Sequence, residues 1–131
     1  MTELSKKVLI IEDEEDVARA YEIKLKKSGI ETALAADGED GLAKILAEKP
    51  GVVLLDLMLP IHDGFWVLEQ LKAKGISGVK VIVLSNLGQE KDRERALALG
   101  AAEYLVKANV SIKEVVDKVF GYLGVSAPPR V

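Results

Sequence analysis

The sequence predicts an α/β domain with one doubly wound parallel sheet, because short apolar runs alternate with helical segments along the chain. The apolar runs are rich in Val, Ile and Leu, which is typical of strands that are buried on both faces. The segments between them repeat apolar residues at three- and four-residue spacing, as amphipathic helices do. In addition, two of the apolar runs end directly in acidic residues, Glu12 and Asp56.

Five strands and five helices are predicted. The strands, each an apolar run bounded by polar or turn-forming residues, cover residues 8–11, 32–35, 52–55, 79–84 and 103–106. The helices, each with one apolar face, cover residues 15–28, 41–49, 64–75, 89–99 and 112–123. This alternation places helices on both faces of the sheet.

Capping residues support several of these boundaries. Asp63 is placed to cap the third helix, and Ser111 with Glu114 forms a capping box before the last one. Asp37 and Gly38 are predicted to form a turn ahead of the second helix. The helical residues expected to face the core are Val17, Tyr21, Leu25, Leu42, Ile45, Leu46, Val67, Leu68, Leu71, Ile112, Val115, Val116, Val119, Phe120 and Leu123.

The 131 residues suffice for one domain, and we assign residues 1–125 to it and residues 126–131 to a short C-terminal tail. With 18 basic and 21 acidic side chains the formal net charge is -3, which disfavours direct binding to nucleic acid or to a membrane. The absence of cysteine excludes disulfides, thiol catalysis and thiolate metal sites. No apolar run is long enough to span a bilayer or resembles a signal peptide, so we expect a cytoplasmic protein.

The acidic strand ends are the strongest functional signal. In open parallel sheets, sites form beyond the carboxyl ends of the strands. If the strands ending at Glu12–Asp13 and at Asp56 are neighbours, three carboxylates converge at one edge of the sheet. Such groups repel one another unless a cation lies among them, and oxygen ligands with room for water suit Mg²⁺.

Two further strand ends add a hydroxyl group, Ser85, and an ammonium group, Lys107. A metal ion and a lysine can neutralise phosphoryl oxygens, while a carboxylate can act as the nucleophile. The set therefore favours phosphoryl transfer onto a carboxylate.

These features together resemble the receiver domain of response regulators in two-component signalling. The resemblance runs from Lys7 to about Phe120 and rests on four motifs in order: the pair Glu12–Asp13, the block DLMLPIHDG at residues 56–64, Ser85 after a strand, and Lys107 after Tyr104-Leu105-Val106. It implies a flavodoxin-like sheet with strand order 2-1-3-4-5.

The resemblance also implies a role for each acidic residue. Asp56 would accept a phosphoryl group from a phosphohistidine on a sensor kinase or phosphotransfer protein. Asp13 and Asp56 would bind Mg²⁺, or Mn²⁺ in its place, together with the backbone carbonyl of Met58. Glu12 would act mostly through a metal-bound water.

Three other residues would bind the phosphoryl group and switch the domain. Lys107 would pair with Asp56 before transfer and with the phosphoryl group afterwards. Ser85 would move to hydrogen-bond a phosphoryl oxygen, and Tyr104 would turn inward to fill the space that Ser85 leaves. The output face, read by a downstream protein target, would consist of the helix from about Gln89, the last strand and the last helix.

Met58 and Leu87 lie two residues beyond Asp56 and Ser85, and by resemblance they flank the path of attacking water. Both are apolar, so we expect slow loss of the phosphoryl group. The protein would be a signalling switch and not an enzyme, and a monomer or weak homodimer.

Other α/β proteins fit less well. A phosphatase of the haloacid dehalogenase type needs a second acid two residues after the nucleophile, where this chain has Met58. A flavodoxin needs a hydroxyl-rich loop after the first strand, and a dinucleotide-binding domain needs a glycine-rich turn there. Here that loop is acidic. A receiver that only binds partners is disfavoured by the intact set Asp13, Asp56, Ser85 and Lys107.

Four further residues carry separate expectations. His62, the only histidine, is expected to be a solvated loop residue, and Trp66 to be partly exposed. Tyr104 is also explained as a half-buried strand aromatic. Ala108 stands where most receivers have a proline after a cis peptide bond, and we expect the Lys107–Ala108 bond to be cis as well.

Overall fold

The computed structural model describes residues 6–124. The five strands are β1 (Val8–Ile11), β2 (Thr32–Ala35), β3 (Val52–Leu55), β4 (Lys80–Ser85) and β5 (Glu103–Val106). The five helices are α1 (Glu15–Lys27), α2 (Gly38–Glu48), α3 (Gly64–Ala73), α4 (Glu90–Ala98) and α5 (Ile112–Leu123). All strand pairs are parallel, and their order is β2-β1-β3-β4-β5, so the predicted fold class and strand order are confirmed.

Each strand alternates its side chains between two cores. Leu9 and Ile11 of β1 pack into a core shared with α2, α3 and α4, whereas Val8 and Ile10 pack into a core shared with α1 and α5. Both faces of the sheet are thus covered, which explains why all four positions of β1 and of β3 are buried and apolar. No helix within residues 6–124 has the length and apolar character that crossing a membrane requires.

The register of the central strands aligns their carboxyl ends. Ile11 pairs with Ala35 on one side and with Leu55 on the other. The backbone N–H of Asp56 then donates to the carbonyl of Ile11 at 3.0 Å. Glu12 and Asp56 consequently lie next to each other at the edge of the sheet, as the sequence predicts.

Three helices begin at capping side chains. The carboxylates of Asp37 and Asp63 accept from backbone N–H groups three residues on, at 2.7 and 2.9 Å. Ser111 and Glu114 form the predicted capping box. Because Asp37 is a cap and not a turn residue, α2 begins at Gly38, three residues earlier than predicted.

Two residues of the predicted apolar faces are exposed: Leu46 and Ile112. Each lies at the margin of its helical stripe, where three-four spacing does not separate a core position from a boundary position. The remaining residues of those two stripes, such as Leu42 and Val115, are buried.

The connection from β5 to α5 differs from the prediction. The Lys107–Ala108 bond is trans, and no cis bond occurs in the described part of the chain. Lys107–Asn109 instead form a turn of 3-10 helix that leads to the Ser111 cap. A cis bond before a residue other than proline costs roughly 2.5–4 kcal/mol, and the 3-10 turn closes the loop without it.

Gly64, the first residue of α3, lies directly against the end of β3. A Cβ atom at this position would be 2.5 Å from the carbonyl oxygen of Asp56 and 2.7 Å from the Cα atom of Leu57. Both are backbone atoms and cannot rotate away. The glycine therefore lets the start of α3 approach the loop that follows Asp56.

We predict that Gly64→Ala lowers the free energy of unfolding by roughly 1–3 kcal/mol or more, because the added methyl group overpacks a rigid contact. Gly88→Ala is the matched control, since a Cβ atom there meets nothing within 4 Å and the residue has no positive φ. Urea unfolding of both variants measures the difference. Equal stability of the two variants would show that the α3 contact is looser than described.

Candidate functional site

Three carboxylates meet at the carboxyl edge of the sheet. One oxygen each of Glu12, Asp13 and Asp56 lies within 4.8 Å of the others. Glu12 and Asp56 are buried, whereas Asp13 is exposed. The sequence prediction that these three side chains converge is therefore correct.

Lys107 reaches into this cluster from the end of β5. Its Nζ atom donates to Oε2 of Glu12 at 2.8 Å and to Oδ2 of Asp56 at 2.9 Å. The ion pair with Asp56 was predicted, but the equally short one with Glu12 was not. The lysine is the cation that makes two buried carboxylates tolerable in the described structure.

The pKa values of Glu12 and Lys107 reflect both their burial and their charged neighbours. Burial raises the pKa of Glu12 from an ordinary value near 4.5 to about 7; Lys107 opposes the rise and Asp56 adds to it. Burial alone would lower the pKa of Lys107, but its hydrogen bonds to Glu12 and Asp56 raise it above the ordinary value. One ammonium group thus leaves excess negative charge in the cluster.

Backbone N–H groups orient the two buried carboxylates. The N–H of Met58 donates to Oδ1 of Asp56 at 3.1 Å, and the N–H of Glu14 donates to Oε1 of Glu12 at 3.3 Å. Each side chain therefore has one oxygen bound to its own loop and the other bound to Lys107. The loops after β1 and β3 therefore orient the two acids.

The donor set fits Mg²⁺. The three residues offer only carboxylate oxygens, which are the hard ligands that Mg²⁺ prefers, and the exposed side of Asp13 leaves room for water. A divalent cation there would also offset the charge of Asp56, which adds to the effect of burial in raising the pKa of Glu12.

The hydroxyl predicted at the end of β4 lies inside the protein. Ser85 is fully buried, and its Oγ atom accepts from the N–H of Leu87 at 3.3 Å. Tyr104 on the neighbouring strand β5 is also buried, and its hydroxyl donates to the carbonyl of Leu87. The two predicted switch residues are therefore linked through one loop residue, and Tyr104 has the inward orientation.

The helix after this loop is attached by few apolar contacts. Ala96 is the only buried residue of α4. Arg93 donates to the carbonyl of Tyr104 at 3.4 Å, and the guanidinium of Arg95 lies 4.0 Å from the centre of the Phe65 ring on α3. The sequence predicts a solvated charged face here, and both arginines are indeed exposed. Their contacts with β5 and α3 carry no signal in a run of mixed charges.

The loop between β3 and α3 contains an unusual turn. The N–H of His62 donates to the carbonyl of Pro60 at 2.8 Å, and Ile61 between them has φ 68°. This is a γ-turn with a left-handed central residue, the rarer and more strained kind. A left-handed conformation costs an L-residue about 1–2 kcal/mol, and a β-branched residue adopts it rarely.

The aromatic residues of this segment contact each other. The rings of His62 and Trp66 are stacked at 3.8 Å between centroids and 10° between planes. Both are half-buried, so Trp66 is partly exposed as predicted, but His62 is not a free loop residue. Their spacing of four residues across a helix start is the signal that would have suggested the pair.

Comparison with known proteins agrees with this geometry. A sequence model of the response regulator receiver domain matches residues 8–120. The chain is 40% identical over 102 residues to the probable transcriptional regulator ycf27 of Cyanophora paradoxa, covering 78% of this chain and 42% of that protein. It is 36% identical over 104 residues to the alkaline phosphatase synthesis transcriptional regulatory protein PhoP of Bacillus subtilis, covering 79% and 43%.

A solved structure, the receiver domain of the Francisella response regulator 1452, is 31% identical to this chain. Its TM-score is 0.85, and the match covers 92% of this chain and 98% of that one. The chain therefore belongs to the response regulator receiver domain family of two-component signalling. It spans about two fifths of the length of the curated relatives that it matches.

Proposed function

We propose that the chain is a phospho-accepting signalling switch in which Asp56 is the acceptor. The observation that carries this proposal is the Asp56 carboxylate: it is buried at the end of β3, lies in a group of three acids and is bound to Lys107 at 2.9 Å. A buried carboxylate can attack phosphorus as a nucleophile. A neighbouring lysine, and acids that can hold a metal ion, suit the site to neutralise the charge of the phosphoryl product.

In the proposed reaction an oxygen of Asp56 attacks the phosphorus of a phosphohistidine. The new O–P bond forms as the N–P bond breaks, and the imidazole nitrogen keeps the electron pair. Lys107 moves its hydrogen bond from Asp56 to a phosphoryl oxygen. Glu12, Asp13 and Asp56, with the backbone carbonyl of Met58, would hold Mg²⁺ or Mn²⁺, and such an ion would supply positive charge against the phosphoryl oxygens.

The switch would pass from Asp56 to the surface through Ser85. In this proposal the Ser85 hydroxyl binds a phosphoryl oxygen and gives up its contact with the N–H of Leu87. The backbone carbonyl of Leu87 accepts from the Tyr104 hydroxyl. The backbone carbonyl of Tyr104 in turn accepts from the Arg93 side chain on α4. Rearrangement of this loop would therefore alter the face formed by α4, β5 and α5, where a downstream protein binds.

The partners follow from the family. We infer a sensor histidine kinase or phosphotransfer protein as donor, a protein target for the output face, and a cytoplasmic location. Some curated relatives are named as transcriptional regulators, but this chain matches only about two fifths of their length. We therefore propose no direct contact of this domain with DNA or with a membrane, and a monomeric or weakly dimeric state.

The acceptor assignment predicts that acetyl phosphate adds one phosphoryl group to the wild-type protein in the presence of Mg²⁺ and none to Asp56→Asn. The amide oxygen and nitrogen of asparagine are poor nucleophiles compared with a carboxylate. Intact mass spectrometry under mild conditions measures the gain. Asp13→Ala should also remove labelling, because it takes one ligand from the metal site.

Asp63→Asn is the control, since Asp63 caps α3 and does not belong to the acid cluster. Labelling of this variant should equal that of the wild type. If Asp56→Asn were labelled as fully as the wild type, the assignment of the acceptor would be wrong.

The lifetime of the phosphorylated state depends, in this proposal, on Met58 and Leu87. Met58 is exposed and Leu87 is half-buried, and neither offers a polar group that would orient water. We predict that Met58→Asn or Leu87→Glu accelerates loss of the phosphoryl group by about tenfold, equal to about 1.4 kcal/mol of barrier. Decay of the phosphorylated mass after removal of acetyl phosphate measures this rate, and unchanged decay in both variants would contradict the proposed route of water.

A further inference from the structure

A cavity of about 340 Å³ lies between the carboxyl-terminal ends of α3 and α4, at the opposite end of the sheet from Asp56. Its volume falls within the range of roughly 300–1,000 Å³ that is typical of pockets for small molecules. We call it the basal cavity. Its apolar wall consists of aliphatic side chains at the edge of the core: Leu68, Leu71, Val79, Val81 and Leu99.

Two glycines keep the basal cavity open. Gly75 follows the end of α3 and Gly100 follows the end of α4, and both line the cavity. A Cβ atom at either position would meet no atom within 4 Å. Because both helices end in a residue without a side chain, the space between their ends is not filled by the protein.

The backbone carbonyls at both helix ends already accept hydrogen bonds from the protein. The N–H of Ile76 donates to the carbonyl of Leu71 at the end of α3, and the N–H of Ala101 donates to that of Ala96 at the end of α4. This is the usual closure of a helix that ends in glycine. The negative ends of the two helices therefore do not require a cationic ligand.

The charged groups around the basal cavity are cationic. Among the described residues that line it, Lys72 is the only charged one. Its Nζ atom donates to the carbonyl of Ala98 at 3.2 Å, so the ammonium group lies between α3 and α4. An ammonium group has three N–H donors, and two remain for a ligand. Residues 70–89 include Lys74 and Lys80 as well and contain no acidic residue.

We propose that the basal cavity is a regulatory binding site for a small molecule that joins a short aliphatic chain to a carboxylate. The aliphatic chain would cover the apolar wall, and removal of that surface from water favours binding. The carboxylate would accept a charge-assisted hydrogen bond from Lys72 at the mouth, where water can still solvate it. A cationic head group would instead be repelled by Lys72.

Such a ligand would also restrain α4. It would contact Leu99 after α4 and Leu71 on α3 at the same time, whereas Ala96 is the only buried residue of α4 itself. In the proposed switch α4 shifts when Asp56 is phosphorylated. A ligand that fits the described position of α4 better than the shifted one opposes that change. This consequence rests on the proposed function, whereas binding to the cavity does not.

The test of binding uses octanoate and octylammonium, which share an aliphatic chain and carry opposite charges. Titration of the wild-type chain, followed by the backbone amide signals in NMR spectra, measures affinity and locates the site. Octanoate should shift the signals of residues 71–81 and 98–101. Octylammonium should bind about tenfold more weakly, because attraction to Lys72 becomes repulsion, although the net charge of -3 favours a cation overall.

Three variants of the full chain test the residues. Val79→Phe should weaken octanoate binding at least tenfold, because the ring occupies the space for the aliphatic chain. Lys72→Met keeps an unbranched side chain without the charge and should weaken binding roughly threefold to fivefold. Lys27→Met is the matched control, since it changes the net charge equally at the end of α1, on the other face of the sheet, and should bind octanoate as the wild type does.

The regulatory consequence is measured by acetyl phosphate labelling in the presence of Mg²⁺. Octanoate at a saturating concentration should lower the labelled fraction of the wild type at a fixed time, and the same concentration should have a smaller effect on Lys72→Met. Unchanged labelling of the octanoate-saturated wild type would refute the regulatory role. A complete lack of labelling without octanoate would refute the proposed function and leave the binding result intact.

The binding site itself would be overturned by any of three results. Octylammonium could bind as tightly as octanoate, or octanoate could shift signals away from the ends of α3 and α4. Lys72→Met could also bind octanoate as tightly as Lys27→Met does, which would show that Lys72 does not hold the carboxylate. If Val79→Phe does not fold, the comparison of the two lysine variants still decides the outcome.

Discussion

The ammonium group of Lys107, bound between Glu12 and Asp56, is the interaction on which the site depends. Two carboxylates are buried at one edge of the sheet because β1 and β3 pair in register and both end in acid. Burial of like charges is unfavourable, and removal of the cation from such a cluster costs about 3–5 kcal/mol. Burial, and to a lesser extent Asp56, raises the pKa of Glu12 even with Lys107 beside it, so the single ammonium group does not fully offset the cost of charging both acids. The same imbalance favours a divalent cation, which in the proposed reaction would also offset the negative charge of the phosphoryl group.

The elements around this cluster differ in how firmly they are attached. The start of α3 lies directly against the backbone at Asp56 through Gly64, so the loop after the acceptor is closely packed. In contrast, α4 buries only Ala96 and is otherwise tied by polar contacts of Arg93 and Arg95. Segments with few buried apolar contacts move at low free-energy cost. In the proposed switch, the acceptor side stays fixed while the output side shifts.

The sequence predicts the fold and the residues of the site well, because both depend on patterns of neighbouring residues along the chain. Apolar runs ending in Glu12 and Asp56 specify buried strands and also put the acids at their ends. The prediction fails where the outcome depends on three-dimensional competition. The trans bond at Ala108 reflects a 3-10 turn that no local pattern indicates, and the left-handed turn at Ile61 contradicts the preference of isoleucine. The stack of His62 on Trp66 likewise requires the loop geometry.

Lys107 compensates buried acid charge in this description of the site, and the substitution Lys107→Met measures that compensation. The unfolding free energies of wild type and variant should be compared without metal from pH 4 to pH 8. Lys107 lowers the pKa of Glu12, so its loss moves that pKa further above the unfolded value. At a pH below the pKa that Glu12 has in the unfolded state, its carboxyl group is protonated in both the folded and the unfolded state. As the pH rises above that value, the unfolded state releases the proton but the folded variant does not. The free energy of unfolding of the variant therefore falls as the pH rises.

Lys107→Met should therefore be destabilised much more at pH 8 than at pH 4, and Mg²⁺ should restore part of the loss at pH 8 by supplying the missing positive charge. A loss of stability that is the same at every pH and unaffected by Mg²⁺ would instead show that Lys107 contributes packing alone and does not compensate the buried acids.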